Sequence, residues 1–242
     1  MTYHVRALKC GECRVRNYIA YSDVWDENTS TFFLYVWLIQ GGEHPIIVDT
    51  GPKEIEEFNR ATAQYVPGGI VQAPGERTPE LMAAAGVDPD DVSHVILTHM
   101  HPDHIGYYDL FRNAQLVVNR RGFLAALPGG VPKDMMVALA SRWPESLRLV
   151  QDEEVLPGIR TFHLGCHSEC SQGIAVDTPK GTVVLAGDVA YMFRNLEEDI
   201  PIRTDDPESA RAALARLRIE GDIILPGHDP LVLDRFPGGV VA

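Results

Sequence analysis

Residues 98–104 read Thr98-His99-Met100-His101-Pro102-Asp103-His104, and this stretch decides how the rest of the chain is read. Just before it, residues 93–97 form a compact apolar strand, so the polar run begins where a buried strand reaches an edge. An extended chain turns residues i and i+2 to the same side, which lets His99 and His101 grip one metal ion. Asp103 and His104 fall where the chain turns towards a helix and can face a second ion. Four ligand-type side chains within six residues are the chemistry of a metal site rather than of packing.

Working outward, strands come first and then alternate with helices. Residues 2–8 and 12–17 alternate in polarity like a hairpin, with Gly11 in its turn. Two further strands, 32–40 and 45–49, are joined through Gly41-Gly42. A helix is expected over 78–85, with Thr78 as its cap, Pro79 in its first turn and Gly86 ending it. Beyond the polar run come a helical segment near 104–112, a strand at 115–118, and helices near 120–127 and 133–142. Strands follow at 147–150, 159–164, 172–177 and 181–186. A last helix spans 207–219, with Leu214, Leu217 and Ile219 on one side. Strand 222–225 then runs into Pro226-Gly227-His228. This mixture predicts an α/β fold of two sheets packed face to face with helices outside.

The 242 residues suit one domain, 1–242, long enough to bury a full core. With 45 % apolar and 23 % charged residues, the composition is that of a globular enzyme and not of a disordered chain. A formal net charge of −13 repels phosphate backbones and anionic lipid. The expected partner is therefore a small molecule, with no nucleic acid and no membrane. Two divalent ions would restore positive potential inside a cleft while the outer surface stayed acidic. The start, Met1-Thr2-Tyr3-His4-Val5-Arg6, lacks the apolar stretch of a secretory signal. The four cysteines, Cys10-x-x-Cys13 and Cys166-x-x-x-Cys170, are then expected as reduced thiols in the cytoplasm. A separate zinc knuckle built from both pairs is the other reading.

The pattern His99-x-His101-x-Asp103-His104 resembles that of the metallo-β-lactamase superfamily, and within it the chain looks most like the N-acyl-homoserine lactonases. The similarity runs from Val48-Asp49-Thr50-Gly51 to Gly227-His228-Asp229. The resemblance implies an αββα sandwich of two mixed sheets with the site at one edge. It also supplies the remaining ligands: His167 in Gly165-Cys166-His167, Asp188 in Gly187-Asp188 as the bridging carboxylate, and His228. Each follows an expected strand, where side chains can converge on a cleft. The implied cofactors are two divalent metal ions, Zn2+ by ligand type, and a homodimer is admitted. The implied reaction opens a lactone ring by attack of a hydroxide bridging the ions. In that reaction Asp103 carries a proton to the leaving alkoxide, and Tyr191, three residues after Asp188, donates to the carbonyl oxygen. Tyr191 as an ordinary packed ring is the alternative. Asp49 reads equally as a partner that orients a ligand histidine and as a turn residue before Gly51.

Two departures from the family pattern stand out. Many relatives carry a histidine where this chain has Cys170, which is expected as a buried inert thiol or a substrate contact. Lactonases have small residues where this chain has Tyr107 and Tyr108, rings expected to narrow or reshape the cleft. The same ligand pattern also serves hydrolases of thioesters, amides, carbamates and β-lactams. A mononuclear iron persulfide dioxygenase uses fewer protein ligands, and a silent binding module would have lost some.

Overall fold

The computed structural model describes residues 2–126, 133–142 and 145–242. Strand β1 (His4–Arg16) lies antiparallel to β2 (Thr29–Gln40), with the short helix α1 (Asn17–Ala20) between them. The hairpin expected over 2–8 and 12–17 is absent, because a single strand covers both halves. The register slips between Lys9 and Gly11, so Cys10 is the extra residue of a β-bulge. Gly11 has φ 153°, and a Cβ there would lie 3.3 Å from the Val71 carbonyl oxygen. The glycine marks a close approach of backbone instead of a turn.

Strand β3 (Ile46–Val48) pairs antiparallel with β2, and β4 (His94–Ile96), β5 (Gln115–Asn119) and β6 (Leu147–Val150) add in parallel. Helices α2 (Ile55–Thr62), α3 (Thr78–Ala85), α4 (Pro102–Ile105), α5 (Arg120–Ala126) and α6 (Lys133–Ser141) fill the connections. Residue 127 of the expected helix over 120–127 lies outside the described residues. The second sheet begins with β7 (Glu153–Leu156), a short edge strand the sequence did not signal. It continues through β8 (Ile159–His163), β9 (Gln172–Thr178) and β10 (Gly181–Leu185). After α7 (Phe193–Glu197) and α8 (Pro207–Glu220), β11 (Ile223–Leu225) joins β10 in parallel, and α9 (Leu231–Arg235) follows. Among the described residues the strand orders are β1-β2-β3-β4-β5-β6 and β11-β10-β9-β8-β7. Both sheets mix parallel and antiparallel pairs.

Alternation along the strands creates three apolar layers. Val5, Trp37, Val48 and Val117 of the first sheet meet Ile159, Ile174, Val176 and Val183 of the second. The opposite face of the first sheet, with Val36, Ile47 and Val95, packs on Met82 of α3, Ile105, Phe111 and Leu139. The outer face of the second sheet, with Phe162 and Val184, packs on Ala213, Leu214 and Leu217 of α8. The layers are therefore helix, sheet, sheet, helix.

Two helix expectations need correction. The α8 stripe is Ala210, Ala213, Leu214 and Leu217, whereas Ile219 is 83 % exposed. Two residues after Leu217, Ile219 is rotated about 200° away from it at the helical step. At α3 the cap position belongs to Arg77, whose N–H is accepted by Glu80, and Thr78 instead donates its hydroxyl to the Thr50 carbonyl. Gly86 ends α3 with φ 69°, as the sequence predicts. The segment near 104–112 is helical only to Ile105. Among the described residues no helix is long and apolar enough to cross a membrane.

Candidate metal centre

Strands β3, β4, β8, β10 and β11 all end at the same edge of the sandwich, and every sequence-predicted site residue lies just past one of these ends or shortly after. Asp49 follows β3, and His99, His101, Asp103 and His104 follow β4. His167 follows β8, Asp188 and Tyr191 follow β10, and His228 follows β11. Backbone bonds fix these loops to one another: Gln172 N–H donates to the Thr98 carbonyl, Thr50 N–H to that of His104, and Phe33 N–H to that of His228. A cleft at the carboxyl ends of strands is where open α/β sheets bind ligands.

Among the described residues, the side chains able to hold a metal ion fall into two groups, His99, His101, His167 and Asp188 in one, and Asp103, His104 and His228 in the other. Asp188 spans both. Its Oδ2 lies 3.3 Å from His167 Nε2 and 3.6 Å from His99 Nε2. Its Oδ1 lies 2.9 Å from His228 Nε2 and 3.2 Å from His104 Nε2. One carboxylate thus presents one oxygen to each group, which is the disposition of a bridging ligand.

Hydrogen bonds behind the rings assign their tautomers. His104 Nδ1 donates to Asp49 Oδ2 at 2.8 Å, and His228 Nδ1 to the Phe33 carbonyl at 2.9 Å. Thr98 donates its hydroxyl to Asp49 at 2.7 Å and accepts from His99 Nδ1 at 3.1 Å. His167 Nδ1 meets the Tyr191 hydroxyl at 3.1 Å. With the proton on Nδ1 of His99, His104 and His228, Nε2 of each of these three rings is left free to face inward, the form in which imidazole binds metal.

Those inward nitrogens are the test of whether a metal fits. His101 Nδ1 is 3.0 Å from His99 Nε2 and 2.9 Å from His167 Nε2. A single shared proton cannot bond three converging lone pairs, but a cation can. His104 Nε2 is buried and makes no hydrogen bond, although Asp188 Oδ1 and Asp103 Oδ2 lie 3.2 and 3.5 Å away. An orphaned buried nitrogen among carboxylates is costly unless it meets a cation. Nitrogen and carboxylate donors in this number fit a pair of divalent transition-metal ions.

Burial favours the neutral ring at His99 and His167, whereas carboxylates, Asp188 foremost, favour the charged ring at His104 and His228. Burial holds the His99 imidazole well below its usual range, with the facing His104 ring adding to the effect. The same cause lowers His167 to about 4, against the opposing charge of Asp188. At His104 burial also favours the neutral ring, but Asp188, Asp103 and Asp49 together outweigh it and raise its pKa. That opposition expresses excess negative charge that a metal would neutralise. Asp103 and Asp188 stay below the usual carboxylate range because facing imidazoles outweigh their burial. Tyr191 is pushed well above the ordinary phenol value by burial and then by Asp188 and Asp103, so it remains a proton donor.

The site opens into a cleft of about 830 Å³. Its floor is His101, Asp103, His167, Asp188, Tyr191 and His228, and its walls are mainly apolar, from Val15 and Phe32 of the first sheet, Phe58 of α2, Val66 and Ile70. The sequence offered no motif for this wall, because its residues come together only through tertiary packing. Tyr107 and Tyr108 do not line the cleft. Tyr107 is buried behind it, accepting a bond from Arg77 Nε at 3.0 Å, and Tyr108 packs on the core of the first sheet. The zinc knuckle does not form either, since all four cysteines are free and neither ligand group includes one. Cys170 is buried, and its sulfur accepts the Met100 N–H at 3.3 Å, between His99 and His101.

Residues 31–228 match the family described as the metallo-beta-lactamase superfamily. The chain belongs to the metallo-beta-lactamase superfamily. It is 30 % identical over 205 residues to an N-acyl homoserine lactonase of Bacillus thuringiensis, covering 81 % of each protein. A mutant of the B. thuringiensis lactonase AiiA, solved with N-decanoyl-L-homoserine at its active site, superposes with a TM-score of 0.81. That match has 26 % identity and covers 98 % of this chain and 99 % of that one. An N-acyl homoserine lactone hydrolase with N-hexanoyl-L-homoserine bound at its catalytic metal centre gives a TM-score of 0.80, also at 26 % identity, over 98 % of this chain and 99 % of that one.

Proposed function

We propose that this superfamily member is a two-metal hydrolase that opens the ring of N-acyl homoserine lactones or close analogues. His99, His101 and His167 would hold one ion, Asp103, His104 and His228 the other, and Asp188 both. Zinc is the ion that five imidazoles and two carboxylates suit best. When bound, the pair supplies Lewis acidity and an activated water at neutral pH.

The chain's own residues supply the rest. Tyr191, kept protonated, donates its hydroxyl hydrogen to the lactone carbonyl oxygen as negative charge develops there. Asp103, kept ionised, takes up a proton and delivers it to the ring oxygen as the C–O bond breaks. Asp49, Thr98 and the Phe33 carbonyl hold the ligand rings in the required tautomers. The apolar wall of Val15, Phe32, Phe58, Val66 and Ile70 receives an acyl chain and keeps water off it. We also take residues 1–242 as one catalytic domain working in the cytoplasm.

The observation that carries this reading is the pair of ligand groups joined by Asp188 at the foot of a mainly apolar cleft. A mononuclear iron oxygenase would leave the second group, Asp103, His104 and His228, without work. Hydrolysis of the metal-loaded protein is to be measured on matched N-hexanoyl homoserine lactone, hexanoyl thioester, hexanoyl amide and a β-lactam. The lactone should have the highest kcat/KM. Cleavage of a thioester or amide with the lactone untouched would move the chain to another branch of the same chemistry.

A further inference from the structure

Two basic side chains other than histidine line the cleft, Lys53 and Arg203. Lys53 is neutralised by Asp109 at 2.7 Å. Among the described residues Arg203 forms no ion pair, although the chain carries 34 acidic residues against 21 basic ones. The cleft's acids Glu54 and Glu57 do not pair with it. The half-buried guanidinium is nevertheless firmly placed. Its Nε donates to the Tyr18 carbonyl at 2.6 Å and its Nη2 to the Val24 carbonyl at 2.7 Å, and its Cζ lies over the Trp25 ring, 3.9 Å from the centroid. Two of five N–H donors are used, and both on Nη1 remain. The next residue, Thr204, bonds the Cys166 carbonyl at 3.1 Å, beside His167. Arg203 therefore stands on the wall that carries His167 and Tyr191.

An arginine serving only as a tie between loops would be expected at the surface with its charge solvated. This one is half-buried and fixed in a mainly apolar cleft, with spare donors and no ion-pair partner among the described residues. A planar, pre-positioned guanidinium is built to recognise a carboxylate. We propose that Arg203 is a specificity-determining residue that binds a carboxylate on the acyl chain of the substrate. The preferred substrate class is then a lactone whose acyl chain ends in an acid instead of a methyl group. This inference rests on the lactonase reading of the cleft and narrows its substrate.

The test uses homoserine lactones acylated with succinyl, adipoyl and suberoyl groups, each against the uncharged acyl group of equal carbon number. At one chain length at least, wild type should favour the acid by about tenfold or more in kcat/KM. Arg203→Met should shrink that preference about 10- to 100-fold, the value of a charge-assisted contact, and Arg203→Lys should fall between. A preference for the uncharged partner at every length, or one that Arg203→Met leaves unchanged, overturns the proposal. Trp25 is 79 % exposed and stacked on Arg203, so its emission gives a second readout that needs no turnover. Succinate, adipate and suberate are titrated against the corresponding monocarboxylates. If no lactone is hydrolysed, the lactonase reading fails, and the titration still decides the anion site. A saturable change with a diacid that Arg203→Met abolishes supports it, and the lack of any diacid-specific change in wild type overturns it.

Discussion

Replacing Asp49 by Asn isolates the role of the carboxylate behind His104. The backbone at Asp49 is left-handed, with φ 57°, a conformation Asn adopts as readily as Asp, so the chain path is undisturbed. Asp49 is buried and accepts from Thr98 N at 2.8 Å, Thr98 Oγ1 at 2.7 Å and His104 Nδ1 at 2.8 Å. An Asn amide offers one acceptor oxygen and one NH2 group. If the oxygen keeps the Thr98 N–H, the NH2 replaces Oδ2 and faces His104 Nδ1. The ring must then accept at Nδ1, which moves its proton to Nε2, the buried atom between Asp188 and Asp103. The opposite amide flip sets donor against donor at Thr98, and an unmet buried donor costs about 1–3 kcal/mol. Losing an orienting partner behind a ligand weakens metal binding about 10- to 100-fold, or about 1.4–2.7 kcal/mol. Competition with a chelating dye should therefore show one ion of Asp49→Asn held nearly as in wild type and the other held 10- to 100-fold more weakly. Unchanged affinity for both ions, in a variant with the wild-type circular dichroism spectrum, would refute the tautomer argument.

Tyr191→Phe should lower kcat on the best lactone about ten- to a hundredfold, the loss of one donor partly covered by the remaining electrophile. Steady-state kinetics with metal content measured alongside checks this, and an unchanged kcat at full occupancy reduces Tyr191 to packing. Cys170→Ala should keep both ions and lose less than about 3 kcal/mol in urea unfolding, since it removes a small buried side chain and the acceptor of one N–H. Loss of an ion in that variant would mean that Cys170 holds the ligand loop in place.

Local chemistry made the ligand run legible in the sequence. His99 to His104 occupy six consecutive residues after an apolar strand, and no long-range information is needed to see them. His167, Asp188 and His228 were legible through the family resemblance and through strand ends that align in space. Asp49 was ambiguous because a left-handed turn residue and a buried acceptor of three bonds have the same one-residue signature. Gly11 suggests a turn in the sequence because a glycine required at a bulge looks the same when the partner strand is unknown. Ile219 has the chemistry of the buried stripe of α8 but not its position, so its apolar side chain falls off that stripe. Arg203 and the apolar wall could not be found from local pattern. Their meaning depends on which distant residues surround them, namely Trp25, Tyr18 and Val24 for the guanidinium, and α2 against β1 and β2 for the wall.

On the proposed mechanism, hydrolysis requires two ions joined through Asp188. Elemental analysis of the purified protein, paired with lactone turnover before and after chelation, tests it most directly. We expect two divalent transition-metal ions per chain, loss of turnover when they are stripped, and its return when both are restored. One ion per chain or none, with turnover intact, would rule out a two-metal hydrolase.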